Sequence, residues 1–141
     1  MAFNVLIVDD SSSMRTILKK IIRASGFNVG ECHEAADGKA ALSVLADKWV
    51  DLVLTDINMP RMNGLELVAE MKKDELMRPV PVVMVTTEGS EKIMQEAMSL
   101  GAAGYIRKPF TPEDIRRVLN SIMGKPDGQR DDVEELEGGD F

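Results

Sequence analysis

The chain has 141 residues, 44% of them apolar and 29% charged, with a net charge of −7. That is one domain's worth of chain with enough apolar surface for a single core. It has no tract of 18 or more apolar residues to span a membrane, and its acidity excludes an electrostatic nucleic-acid binder.

The charge is unevenly placed. From Lys125 onward seven acidic residues face only Lys125 and Arg130, so −5 of the total lies in residues 125–141 and the body keeps −2. The opening MAFNVLIV has neither a basic flank nor the apolar length of a signal peptide, and a lone Cys32 cannot form an internal disulfide. The expected compartment is the cytoplasm.

In chain order, two periods alternate. Asn4–Val8 is a continuous apolar run suited to a strand buried on both faces, and Ser12 opens a helix with Met14, Ile17, Leu18, Ile21 and Ile22 on one side, stopped by Gly26. A weaker strand near Glu31–Ala35 precedes a helix from Asp37 to about Asp47. Leu52–Thr55 is a third strand, followed by a helix from about Gly64 with Leu65, Leu67, Val68 and Met71. Pro79 and Pro81 introduce a fourth strand, Val82–Val85, and Glu91–Leu100 is its helix. Gly104–Arg107 is a fifth strand, and Pro112 after Thr111 opens the last helix through Ile115, Val118, Leu119 and Ile122. Strand-then-helix units of this kind predict an α/β fold, a parallel sheet with right-handed crossovers and helices on both faces. Ligands then bind at the carboxyl ends of the strands.

The polar residues with chemical potential fall at those ends. Asp9 and Asp10 end strand one, Asp56 ends strand three, Thr86 and Thr87 end strand four, and Lys108 follows strand five. Converging carboxylates raise one another's pKa unless a cation sits among them. Oxygen ligands without His or Cys nearby suit Mg²⁺. Helix capping is the competing reading of the Asp pair, but Ser11 or Ser12 already supplies a cap. Asp56 could be an ordinary turn aspartate; the constrained loop through Asn58, Met59, Pro60 and Asn63-Gly64 instead points it into the acidic cluster. A carboxylate beside Mg²⁺ is a competent nucleophile toward phosphorus, giving an acyl phosphate. Lys108 would neutralise an incoming phosphoryl group and the Thr86 hydroxyl would donate to it.

The segments VLIVDDS, LTDINMPRMNGLEL, VVMVTTEGS and GYIRKPF, in this order, resemble the receiver domain of two-component response regulators, closest to its stand-alone chemotaxis members of the CheY type. The resemblance spans residues 4–123. It implies a receiver domain over 1–124 with a doubly wound five-stranded parallel sheet, flavodoxin-like. The strand order 2-1-3-4-5 comes with the resemblance, of which the chemotaxis member is a standard instance, and is not read from the residues. The resemblance further implies Asp56 as phosphoacceptor, with Asp10, Asp56 and the Asn58 backbone carbonyl as direct Mg²⁺ ligands and Asp9 reaching the metal through water. Lys108 senses the phosphate, Thr86 is the switch hydroxyl and Tyr105 the switch aromatic. It implies a histidine kinase of the CheA type as phosphoryl donor, a flagellar motor switch protein or a phosphatase as further partner, a monomer, and no nucleic acid or membrane insertion. The protein would catalyse its own phosphorylation and dephosphorylation without being an enzyme. The departures are Ile57, where the chemotaxis members carry Trp, Thr87, where a small residue is common, and Gly89-Ser90-Glu91, where helix four is usually lysine-rich at its start.

Other features read more simply. His33 is expected at the surface of an edge strand, Trp49 to anchor a loop against the sheet, and Met71, Met94 and Met98 to pack in the core, with Met94 and Met98 also candidates for a partner surface. The tail from 125 to 141 is acidic and too short for a core, and disorder is expected. Two rival readings compete with the receiver reading. A flavodoxin-type carrier of flavin mononucleotide would cradle phosphate at Ser11-Ser12-Ser13, but Asp9 and Asp10 would repel it. An aspartyl phosphohydrolase would need its first-strand acids two residues apart, and here they are adjacent. Within the receiver reading, the output is protein contact, as in motor control, or a phosphate sink or relay in another two-component pathway.

Overall fold

The computed structural model describes residues 2–87 and 90–124. Five strands, β1 (Phe3–Val8), β2 (Val29–Ala35), β3 (Leu52–Thr55), β4 (Val82–Thr86) and β5 (Gly104–Arg107), alternate with five helices. The helices are α1 (Ser12–Ala24), α2 (Gly38–Asp47), α3 (Gly64–Lys72), α4 (Glu91–Leu100) and α5 (Pro112–Met123). The sheet is parallel throughout, in the order β2-β1-β3-β4-β5.

Strand periodicity builds two cores from one sheet. Leu6, Val8, Val53, Val82 and Met84 face one side, where Ala41 of α2, Leu67, Val68 and Met71 of α3 and Ala97 of α4 cover them. Val5, Ile7, Leu52, Leu54, Val83 and Val85 face the other, against Leu18 and Ile22 of α1 and Ile115 and Leu119 of α5. Each large side chain so buried contributes about 1.5–3 kcal/mol.

Every helix opens with a side-chain cap: Ser11, Asp37, Asn63, Ser90 and Thr111 each accept an amide of the first turn. Asn63–Glu66 and Thr111–Asp114 form full capping boxes. Because each helix follows a strand, all five positive helix ends gather at the carboxyl edge of the sheet.

β2 begins at Val29, two residues before the expected Glu31, because Phe3 pairs with Val29 across a register shift in β1. The Asn4 side chain accepts the Glu31 amide there, and Gly30 breaks the alternation that would have marked the strand. Three other expectations are corrected. Trp49 does not anchor the connection before β3: it is 77% exposed, its indole donating to Asp51 Oδ1 at 3.0 Å, and the smaller Val50 takes the buried place. His33 is half-buried, its side chain 18% exposed and its Nε2 3.4 Å from Glu31 Oε1, because α2 covers the face of the edge strand on which it sits. Met98 is 44% exposed, whereas Met71 and Met94 are buried. The expected tail disorder and the residues Glu88 and Gly89 lie outside the described residues.

Candidate functional site

Backbone ladders run one residue past the strands and place the site before any side chain is considered. The Asp9 amide donates to the Ala35 carbonyl at 3.1 Å, the Asp56 amide to Val8 at 2.9 Å and the Lys108 amide to Thr86 at 2.9 Å. The same pairing that builds the sheet thus fixes the Cα positions of two acids on neighbouring strands and of a lysine beyond the intervening β4, all at one edge.

The side chains converge from there. Carboxylate oxygens of Asp9, Asp10 and Asp56 lie within 4.8 Å of one another. Lys108 Nζ stands 3.6 Å from Asp9 Oδ2 and 3.7 Å from Asp56 Oδ2. Asp9 is buried, Asp56 half-buried and Asp10 exposed. The Asp9 carboxyl is pushed above its ordinary range, chiefly by burial; the Ser11 amide and Lys108 pull it down, and Asp56 and Asp10 add a smaller upward push. Mutual repulsion among the acids, expected to dominate, is therefore secondary to desolvation.

Asp9 Oδ1 accepts the Ser11 amide at 2.9 Å, while Asp9 Oδ2 is buried with no hydrogen-bond partner among the described residues. Leaving such an oxygen unsatisfied costs roughly 1–3 kcal/mol or more. A buried carboxylate oxygen that has the Lys108 ammonium at 3.6 Å but no hydrogen bond, on one of three clustered aspartates that offer only oxygen ligands, fits a hard divalent cation such as Mg²⁺.

The loop after β3 is held from several sides. Asp56 Oδ1 accepts the Ile57 amide at 2.7 Å, and Thr55 Oγ1 donates to the Asp56 carbonyl at 2.9 Å. The Gly64 amide donates to the Ile57 carbonyl at 2.8 Å. Asn58 lies exposed in this loop, two residues beyond Asp56.

Thr86, the last residue of β4, is buried. Alternation along β4 and β5 puts its side chain on the α4 side of the sheet, the side of Met84 and, by register with Met84, of Tyr105. Tyr105 is 44% exposed there, diagonal to Thr86, which pairs with Arg107. Thr87 is exposed. The Lys108–Pro109 peptide is cis.

Two residues in contact with the site escaped the sequence reading. Arg15 donates through Nη1 to the Asp9 carbonyl at 2.6 Å and through Nε to Glu34 at 2.8 Å, tying α1 to the end of β1. Its only sequence signal is its place one turn inside the helix. In the sequence Gly64 reads as half of a turn signal; in the fold it is the first residue of α3, capped by Asn63, and its role is close approach to the Asp56 backbone.

The family model described as the response regulator receiver domain matches residues 5–120. The chain belongs to this receiver family. Among curated receiver relatives, chemotaxis protein CheY-3 of Vibrio cholerae is 42% identical over 119 residues, covering 84% of this chain and 90% of the relative. Chemotaxis protein CheY1 of Helicobacter pylori is 38% identical over 124 residues, covering 87% of this chain and 98% of the relative. Among solved receivers, V. cholerae CheY4 superposes with a TM-score of 0.77 at 34% identity, covering 86% of this chain and 99% of that one. The CheX–CheY–BeF3–Mg complex of Borrelia burgdorferi gives a TM-score of 0.77 at 30% identity, with coverage of 87% and 90%. The flavodoxin-like fold and its strand order agree with these neighbours, and a flavin carrier is not favoured. Asp9 already occupies the Ser11 amide, and the Ser11 hydroxyl already caps α1 at Met14, so these groups at the start of α1 are engaged within the chain rather than open to a phosphate. No helix of the described residues is long and apolar enough to cross a membrane.

Proposed function

We propose that this receiver is a CheY-like regulator of chemotaxis that takes a phosphoryl group on Asp56 in a Mg²⁺-dependent reaction. The single observation that carries the reading is the convergence of Asp9, Asp10 and Asp56 with Lys108 around a buried carboxylate oxygen that accepts no hydrogen bond among the described residues. Its likeness to chemotaxis proteins of V. cholerae and H. pylori supports the pathway.

An Asp56 oxygen attacks the phosphorus of a phosphohistidine; the new O–P bond forms as the P–N bond breaks, and the histidine leaves with its electron pair. Asp10, Asp56 and the Asn58 carbonyl would hold Mg²⁺ directly and Asp9 through water. When bound, the ion neutralises charge on the phosphoryl oxygens. Lys108, held between Asp9 and Asp56, supplies a fixed positive charge to the same group. Thr86 then reads the phosphate through its hydroxyl, and Tyr105 on the same face of the sheet changes position with it, remodelling the surface of α4, β5 and α5.

The donor is a histidine kinase of the CheA type. The phosphorylated form acts in the cytoplasm as a monomer through protein contact, with a motor switch protein or a phosphatase as partner. A CheY relative in B. burgdorferi is found in a complex with CheX, which supports a protein contact of this kind. The protein turns over its own phosphoryl group and no separate substrate. Residues 1–124 act as the receiver and 125–141 as an appended acidic segment.

Incubation with acetyl phosphate and Mg²⁺ should add one phosphoryl group, detected by intact mass. Asp56→Asn and addition of EDTA should each abolish it; equal labelling of Asp56→Asn would remove Asp56 as acceptor.

A further inference from the structure

Helix α1 carries Arg15, Lys19, Lys20 and Arg23 and no acidic residue, in a body whose net charge is negative. Thr16, Lys19, Lys20 and Arg23 recur at the spacing of one helical stripe, turned away from the buried Leu18 and Ile22. With Cys32 of β2 they line a shallow depression of about 360 Å³. Lys19 is paired with Glu34 at 2.6 Å, whereas Lys20 and Arg23 make no ion pair among the described residues.

The chain's own acidic segment starts close by. α1 and α5 pack side by side on one face of the sheet. Both begin at the carboxyl edge and run back to the opposite edge, so Arg23 and Gly124 lie at the same end of that face. Beyond Gly124 follow 17 residues with a net charge of −5, five of the acids within 131–137, DDVEELE. Their extended reach is about 56 Å; α1 is about 20 Å long and adjacent helices lie about 8–10 Å apart.

We propose that residues 125–141 dock on this basic stripe, with the acidic run 131–137 against Lys19, Lys20 and Arg23. Opposite charge selects the face, and a short tether holds the segment there at an effective concentration on the order of millimolar. The docked segment covers the helix whose first turn holds Asp9 through Ser11 and Arg15. The contact is independent of the phosphorylation reading.

Backbone amide NMR of the full chain tests it. The signals of Thr16, Lys19, Lys20, Arg23 and Cys32 should differ between the native chain and a full-length variant carrying D131N, D132N, E134Q, E135Q and E137Q. Raising ionic strength from about 0.01 M to about 1 M, which shortens the screening length from about 30 Å to about 3 Å, should move the native signals onto those of the neutralised variant. K20E/R23E, which breaks no ion pair of the described residues, should erase the difference while leaving the denaturation midpoint in place. Identical signals in the native and neutralised chains would overturn the proposal. So would a difference that survives in K20E/R23E, or one that grows with protein concentration and thereby assigns the segment to a second copy.

Discussion

The first residue of α3 is pressed against the backbone of the site: a Cβ added at Gly64 would stand 2.3 Å from the Asp56 carbonyl oxygen. The obstacle is main chain, which cannot swing aside as a side chain can. Gly64→Ala should therefore displace the β3–α3 loop, cost about 1–3 kcal/mol as overpacking does, and slow labelling of Asp56 by acetyl phosphate. Urea denaturation and single-turnover labelling measure the two effects. An unchanged labelling rate would mean that the loop absorbs the methyl group without moving Asp56.

Asp37 ties two loops together. It caps α2 by accepting the Ala40 amide at 2.8 Å and accepts Arg61 Nε at 2.6 Å, and the Ala40 amide first, then Arg61, hold its carboxyl below the ordinary range. A depressed folded pKa contributes stability above the unfolded value, near 4 for Asp, and loses it as pH falls through the folded value. Asp37→Ala should cost about 1 kcal/mol at neutral pH, with the gap to wild type narrowing below about pH 4. Asp37→Asn, which keeps a good cap, should cost less. Urea midpoints across pH decide the matter; a gap constant down to about pH 3 would show that the carboxylate charge is irrelevant there.

Trp49 is solvent-exposed at the opposite end of β3 from Asp56, on the order of 20 Å away at strand rise, and Ile57 rather than an indole follows Asp56. Tryptophan emission should be that of an exposed indole and should barely change on adding Mg²⁺. Strong quenching on titration would place a cation near Trp49 instead of among the aspartates.

Thr86 is buried beside the site, with Tyr105 on the same face of the sheet. On the proposed reading, in which the Thr86 hydroxyl biases a shift between two conformers, Thr86→Ala should accept phosphate at Asp56 yet transmit it poorly. Partner affinity measured with and without beryllofluoride, in wild type and variant, reads this out. Equal enhancement in both would leave Lys108 or the loop backbone as the reader.

Much of this was legible in the sequence because local physics dictates it. Short continuous apolar runs such as Leu52–Thr55, bounded by polar residues, suit strands covered on both faces, and Thr111-Pro112 suits a helix start, so elements, parallel sheet and the edge carrying Asp9, Asp10, Asp56 and Lys108 followed from periodicity and capping. Strand order did not, since any arrangement of buried strands satisfies the same alternation. Nor did the surroundings of single side chains. Trp49 is exposed because Val50 fills the space beneath, the Asp9 carboxyl is raised by burial more than by its neighbours, and Gly64 is glycine because the Asp56 carbonyl passes beside it. These depend on distances between residues far apart in the chain, which only tertiary packing sets.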